Sequence, residues 1–415
     1  MIFLANVLVM NGGSTFLVRT SHEMKRQGVS VAVLLLRREV DKQLLAELEC
    51  SATVLYLEDF LLDKAWIFRA HLGVFGPVAW ARLERALIPF GNVVHAMGVF
   101  GLLFGYRLCG RFGNLKLTAG VYHQNEFLYK NSNSYFAQRS LELFCGLPSQ
   151  NVVFFNETSR NNYNEFFAKD FSVSLLVPIG IDLPSSDKNA FNGESFRIVS
   201  IGNLVEFKTY NEHIIRSLPL LLKSFPYLHY DIYGTGPQEN FLMDLATKLG
   251  VEGVVRFHGE IEYSRLPNAL DNSALFVGSG TALVEAAALG VPALIGIESI
   301  KTPDTYGFIS DIDGFSYNEN VPYVKKQPIV PLLLDFFGNA GARRELSILC
   351  RNKANDFSVK KTVHGFFHMV DKTRYVVFKF SALNFMLMLA SLVLLGVRQK
   401  FFSESTFADR RNQSY

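Results

Sequence analysis

The sequence predicts two consecutive doubly wound α/β domains. Three observations carry this: short apolar runs alternate with amphipathic stretches over the first 180 residues, a polar stretch follows at 185–194, and the alternation restarts at Arg197. Alternation of this kind marks βαβ units around a parallel sheet. A chain of 415 residues also exceeds what one hydrophobic core usually organises.

In the first half, Ile2 to Met10 reads as a strand, Asn11-Gly12-Gly13-Ser14-Thr15 as a loop, and Phe16 to Gln27 as a helix closed by Gly28. Val29 to Leu36 is almost uniformly apolar, which suits a strand buried on both faces. Val93-Val94-His95 and Leu117 to His123 read as further strand ends. Ser185 to Glu194 is expected to be a linker. The second half gives strands at Arg197–Ile201, Tyr230–Tyr233, Val254–Phe257, Ala274–Val277 and Pro292–Ile295. Gly202 to Tyr210 is then a loop ahead of a helix from Asn211 to Ser224. The expected domains are 1–184 and 195–355, facing a central cleft, with a terminal helix at 356–374 and a hydrophobic segment at 380–397.

Composition excludes several classes. A net charge of +3 is too slight for a nucleic-acid binder. Four widely spaced cysteines form neither a disulfide framework nor a zinc pattern and fit a reducing, cytoplasmic setting. Asp311-Ile312-Asp313 spells a metal-binding DxD but runs into Gly314, so it reads as a turn. His364 and His368 stand one helical turn apart without a third ligand, so no metal site is expected. Gly12 and Gly13 do not make the glycine fingerprint of a nicotinamide-binding fold.

The second half offers parts suited to a diphosphate: glycine-rich amides, helix N-termini and a cation. Lys208 ends the stretch Gly202-Asn203-Leu204-Val205-Glu206-Phe207-Lys208 just before a helix. Gly278-Ser279-Gly280-Thr281 opens another helix, and Glu285 sits one turn into it. A carboxylate there can accept hydrogen bonds from ribose hydroxyls.

These motifs, IGNLVEFK, YDIYGTGP, VRFHGE and GTALVEAAALGVP, resemble the donor domain of glycosyltransferase family 4, retaining enzymes of the GT-B fold. In the first half NGGST, VVHAMG, GVYHQNEF and VPIGID resemble that family's acceptor-side landmarks, and ANDFSVKKTVHGFF its terminal crossover helix. The resemblance implies a nucleotide-sugar donor, with no metal or other cofactor. It implies that Lys208 contacts the diphosphate, that Glu285 binds ribose, and that Gly280, Thr281, Gly12 and Gly13 hold phosphate. Asn203 and Gly236 fall in the donor loops. His123 would stand by the reacting carbon and acceptor hydroxyl, and His95 on the acceptor side. The acceptor implied is a glycan or lipid-linked saccharide, in bacterial surface polysaccharide assembly. Two positions depart from the pattern: Asn203 stands where the family usually has arginine, and Val277 where it often has glutamate. They keep open a catalytically inactive GT-B partner, beside a GT-B sugar-nucleotide epimerase.

Phe380 to Val397 carries no formal charge, and as a helix would span about 27 Å, close to the roughly 30 Å of a bilayer core. Ser381, Asn384 and Ser391 give it a polar stripe, which suits a helix lying in a membrane interface; a full span and a buried core helix are the other readings. From Ala65 to Tyr106 the aromatics Trp66, Phe68, Phe75, Trp80 and Phe104 alternate with Arg69, Arg82, Arg85 and Arg107. They read as the inner faces of first-domain helices or as a patch that receives a lipid-linked acceptor.

Overall fold

The computed structural model describes residues 1–62, 72–129, 134–185, 189–322, 324–376 and 381–402. The chain divides into two compact units, Met1–Gly180 with residues from Val359 onward, and Ile181–Ser358.

The first unit is built on β1 (Ile2–Ala5), β2 (Ala32–Leu35), β3 (Thr53–Tyr56), β4 (Val93–Met97), β5 (Lys116–Val121), β6 (Val152–Phe154) and β7 (Leu175–Leu176). They form one parallel sheet in the order β3-β2-β1-β4-β5-β6-β7. Side chains alternate across it: Ile2 and Leu4 join one apolar cluster, Phe3 and Ala5 another on the opposite face. Both faces are therefore covered, which is why β1 and β2 are apolar at every position. The connecting helices are α1 (Gly12–Arg26), α2 (Lys42–Glu49), α3 (Trp80–Leu87), α4 (Gly98–Arg111), α5 (Tyr135–Cys145) and α6 (Glu157–Phe167).

Two sequence expectations change here. The first strand ends at Ala5 rather than Met10, because Leu8 turns to pair with the segment after β2, donating to Glu39 O and accepting from Asp41 N. The stretch after it is no loop. Asn11 accepts a hydrogen bond from Ser14 N at 2.9 Å and caps α1, so Gly12 and Gly13 form its first turn.

The second unit holds β8 (Arg197–Ile201), β9 (His229–Tyr233), β10 (Val255–Phe257), β11 (Leu275–Gly278) and β12 (Ala293–Ile295), parallel in the order β10-β9-β8-β11-β12. Its helices are α7 (Tyr210–Ser224), α8 (Glu239–Lys248), α9 (Leu266–Leu270), α10 (Thr281–Ala288), α11 (Ile329–Gly338) and α12 (Ala340–Ala354). The strands lie within a residue or so of their expected positions. The expected linker does not stay free: Ala190 N bonds Leu289 O and Asn192 N bonds Ser273 O, which ties its second half to this unit. Residues 186–188 lie outside the described residues.

The chain closes with α13 (Val359–Lys372) and α14 (Ala382–Phe402). Phe366 of α13 packs against Phe3, Phe16 and His95, so this helix belongs to the first unit's core. Of the expected polar stripe, Asn384 and Ser391 turn inward, while Ser381 is exposed just ahead of α14. Asn384 Oδ1 accepts from Tyr135 Oη at 3.0 Å, and Ser391 Oγ accepts from Phe136 N at 3.1 Å. Met388 is fully buried, and Phe385 packs on Phe75 beneath the Arg107 guanidinium. Among the described residues no helix is long and apolar enough to cross a membrane. Of the aromatic and basic stretch, Trp66, Phe68 and Arg69 lie outside the described residues. Phe75 and Phe104 are buried core residues, and Trp80, half-buried, stacks on Phe104 under Arg107.

Candidate nucleotide-sugar site

In each sheet the strand order reverses beside the unit's first strand, between β1 and β4 and between β8 and β11. Loops at the carboxyl ends of those strands diverge and leave a crevice, the usual place for a ligand in such sheets.

In the second unit Gly202 to Thr209 crosses the end of β8. The loop is pinned by Gly202 N to Tyr233 O and Leu204 N to Thr235 O, both 2.9 Å. Gly236, from the neighbouring loop, has φ +155, and a Cβ there would lie 2.3 Å from Leu204 O. Only glycine lets these two loops pass so closely. Gly236 is thus a packing residue of the site's wall. Lys208 is half-buried, its Nζ folded back over Gly202, where an added Cβ would come within 3.0 Å. That ammonium donates no hydrogen bond among the described residues. Asn203 is exposed.

Across the crevice β11 runs into Ser279 and Gly280, and α10 begins at Thr281. A Cβ at Gly280 would meet nothing within 4 Å, so space lies open there. The Gly280 amide is already engaged, donating to Asn318 Oδ1 at 2.9 Å, while Tyr317 Oη donates to Gly280 O at 3.2 Å. Glu285 is 7% exposed and accepts from Tyr263 Oη at 2.8 Å, which fixes its carboxylate. Val277 is fully buried within β11 and projects into the core.

One carboxylate was not singled out in the sequence. Glu298 lies past β12 and accepts from Ser279 Oγ at 3.1 Å. Burial pushes its pKa up, against the opposing pull of Lys208 and Ser279. Its backbone is held on both sides: Glu298 N donates to Asn318 O, and Ser299 N to Phe207 O at 2.7 Å, beside Lys208. Ser299 adopts φ +57, a left-handed conformation uncommon outside glycine. Such strain, on the order of 1–3 kcal/mol, persists where surrounding structure enforces it, often at functional sites. The structure therefore brings Lys208, Glu298, Ser279 and Gly280 together at the β8/β11 switch point.

In the first unit the Gly12 and Gly13 amides lie in the first turn of α1, and a Cβ on Gly12 would meet nothing within 4 Å. His123 falls two residues beyond β5, in a turn and not on the strand itself. Its Nδ1 accepts from Asn125 N at 3.1 Å, so the neutral ring carries its proton on Nε2. His95 is fully buried in β4. Thr118 Oγ1 and Tyr122 Oη occupy its ring nitrogens at 2.9 and 2.8 Å, and burial drives its pKa down to about 3. It is a neutral core residue, with neither nitrogen left for an acceptor.

Asp311 lies in a 3₁₀ turn, where its carboxylate accepts from Phe308 N at 2.8 Å. Among the described residues no group of three His, Cys, Asp or Glu side chains is arranged to hold a metal ion, His364 and His368 included.

This doubly wound pair of units is the GT-B glycosyltransferase fold. Residues 184–299 match the family model for glycosyl transferases group 1. HepE of Anabaena, solved with UDP and glucose, superposes with a TM-score of 0.62 at 14% identity, over 89% of this chain and 99% of that one. A TarM variant of S. aureus, in complex with Fondaparinux, alpha-GlcNAc-glycerol and UDP, gives 0.64 at 11% identity over 89% and 99%. Sucrose-phosphate synthase from Thermosynechococcus elongatus gives 0.61 at 13% identity over 89% and 98%. No curated protein sequence matches the chain.

Proposed function

We propose that this chain is a retaining, metal-independent glycosyltransferase of the family 4 type. It moves a sugar from a nucleotide donor to a glycan or lipid-linked saccharide in bacterial surface polysaccharide assembly, on the cytoplasmic side of the inner membrane. The observation that carries this reading is the grouping of Lys208, Gly280 and two fixed carboxylates, Glu285 and Glu298, at one switch point.

In this reading Lys208 and the amides near Gly280 and Thr281 meet the charge that collects on the departing diphosphate. Glu285 accepts from ribose hydroxyls. Glu298 supplies the carboxylate that Val277 cannot, and orients the donor sugar. The bond from the sugar carbon to the diphosphate breaks as the bond to the acceptor oxygen forms, and the acceptor proton passes to the departing phosphate oxygen. For the first unit, taken by itself, the reading keeps the roles the resemblance implies: phosphate binding by the first-turn amides of Gly12 and Gly13, and an acceptor-side role for His123. Four free cysteines support the reducing compartment. The inactive-partner reading rests on Asn203 and Val277, and Glu298 weakens it by restoring a carboxylate.

A thermal-shift panel with UDP, GDP, ADP, CMP and dTDP tests the reading on wild type and Lys208→Ala. A nucleotide at about 100 times its Kd stabilises by roughly 2.7 kcal/mol. A shift with one nucleotide, lost in Lys208→Ala, supports transfer. No shift with any of them moves the reading to the inactive partner.

A further inference from the structure

We infer that α14 docks the first unit onto an anionic bilayer, lying flat in the interface with its outer face in the lipid. A helix on a protein surface normally turns its apolar side inward and its polar side to water. Here the inner face packs Phe385, Met388, Leu389 and Leu392 on the first unit's core and carries the helix's hydrogen-bonding side chains as well, so the outer face is left apolar too. Asn384 and Ser391 are spent on hydrogen bonds to Tyr135 and Phe136 of α5. The outward stripe, Leu383, Met386, Leu387, Val393, Leu394 and Val397, is 42–62% exposed and contains no polar side chain.

An unpartnered apolar surface of this kind marks an interaction site. Two features select a bilayer over a second copy of the chain. The line 383–387–390–394–397 alone would make a coiled-coil seam, but Met386 and Val393 widen it beyond the narrow stripe a two-helix contact uses. Charge also matches anionic headgroups: between Asp371 and Glu404 the sequence has no acidic residue, while Lys372, Arg374, Lys379, Arg398 and Lys400 flank the apolar run. The inner face is bonded to α5, so lipid cannot surround the helix, and an in-plane position follows. The inference deepens the proposed membrane setting but does not require transfer itself, since a chain without activity would dock equally.

The test is co-sedimentation of the full chain, without donor or acceptor, with phosphatidylcholine vesicles lacking or containing roughly a third phosphatidylglycerol. Wild type is expected to pellet with the anionic vesicles, and the double variant Leu387→Glu, Leu394→Glu to lose about tenfold or more of that partitioning. Lys208→Ala is expected to bind vesicles as wild type does, so failure of the donor site and failure of docking are read separately. As a check that leaves the apolar face intact, Leu394→Trp should show a blue-shifted emission with anionic vesicles. Binding unaltered by the double variant, or no blue shift, overturns the proposal. So does a wild-type dimer in ultracentrifugation that the same variant dissolves.

Discussion

Ser279 Oγ donates to the Glu298 carboxylate at 3.1 Å, joining the loop after β11 to the loop after β12. The contact places a half-buried carboxylate near a lysine that no protein group hydrogen-bonds among the described residues. A half-paired arrangement of this kind is costly in an empty site and useful once a ligand completes it.

Glu298→Gln should separate those two effects. Burial raises the Glu298 pKa in the folded chain. The charged form is thus disfavoured by folding, a penalty fully present above the folded pKa and relieved as pH falls through it. The variant is expected to melt higher than wild type at pH 7, with the gap closing as pH is lowered past the carboxylate range, and to bind donor more weakly. Calorimetry across pH, with and without the nucleotide that the thermal-shift panel selects, checks both.

Lys208→Ala should remove a charge-assisted contact of about 1.5–3 kcal/mol. At 1.4 kcal/mol per factor of ten, kcat/KM is expected to fall roughly 10- to 100-fold. A steady-state assay with the identified donor reads this directly. An unchanged value would place the diphosphate elsewhere.

Asp231 is 4% exposed at its side chain and accepts from Arg197 Nε at 2.6 Å and His258 Nε2 at 3.0 Å. Burial works to raise its pKa, but the hydrogen bonds and charges of His258 and Arg197 outweigh it, and the net shift is downward. Its stabilisation is therefore present above the unfolded carboxylate pKa of about 3.9 and lost as pH falls through the lower folded value. Asp231→Asn should cost on the order of 3 kcal/mol at pH 7, because Arg197 loses its buried partner. Urea melts at pH 7 and near pH 3 should show that cost shrinking in acid.

His95 should remain neutral well below the usual imidazole range, since burial lowers its pKa to about 3. Below the unfolded value of about 6.5, the unfolded chain takes up a proton that the folded chain refuses, so this residue contributes a loss of stability as pH falls from there. Nitrogen NMR of the ring checks it; a titration near pH 6 would contradict the packing.

Much of this was legible in the sequence because the signals are local. Strand, glycine loop and helix follow one another at Ile201–Lys208–Tyr210 and again at Gly278–Thr281–Glu285, so periodicity alone placed both loops. Asn11-Gly12-Gly13 misled because glycines resemble breakers, whereas a first helical turn tolerates them beneath an asparagine cap. Glu298 and Asn318 had no local signal. They reach Ser279 and Gly280 only because β12 lies beside β11 and a long loop folds back, which no spacing rule reports. The stripe Ser381–Asn384–Ser391 was visible, but periodicity cannot say which side of a helix meets the protein.

The inward bonds of α14 bear on how the protein can be handled. Cutting the chain before Ala382 to improve solubility would remove one oily surface and uncover another, because Phe75 and the socket of Met388 would then meet water. Tyr135 and the Phe136 amide would lose their partners at the same time. A shortened protein should aggregate more readily than the whole one. Charges placed on the outer face of the intact helix are the gentler route to a form that stays dispersed without detergent.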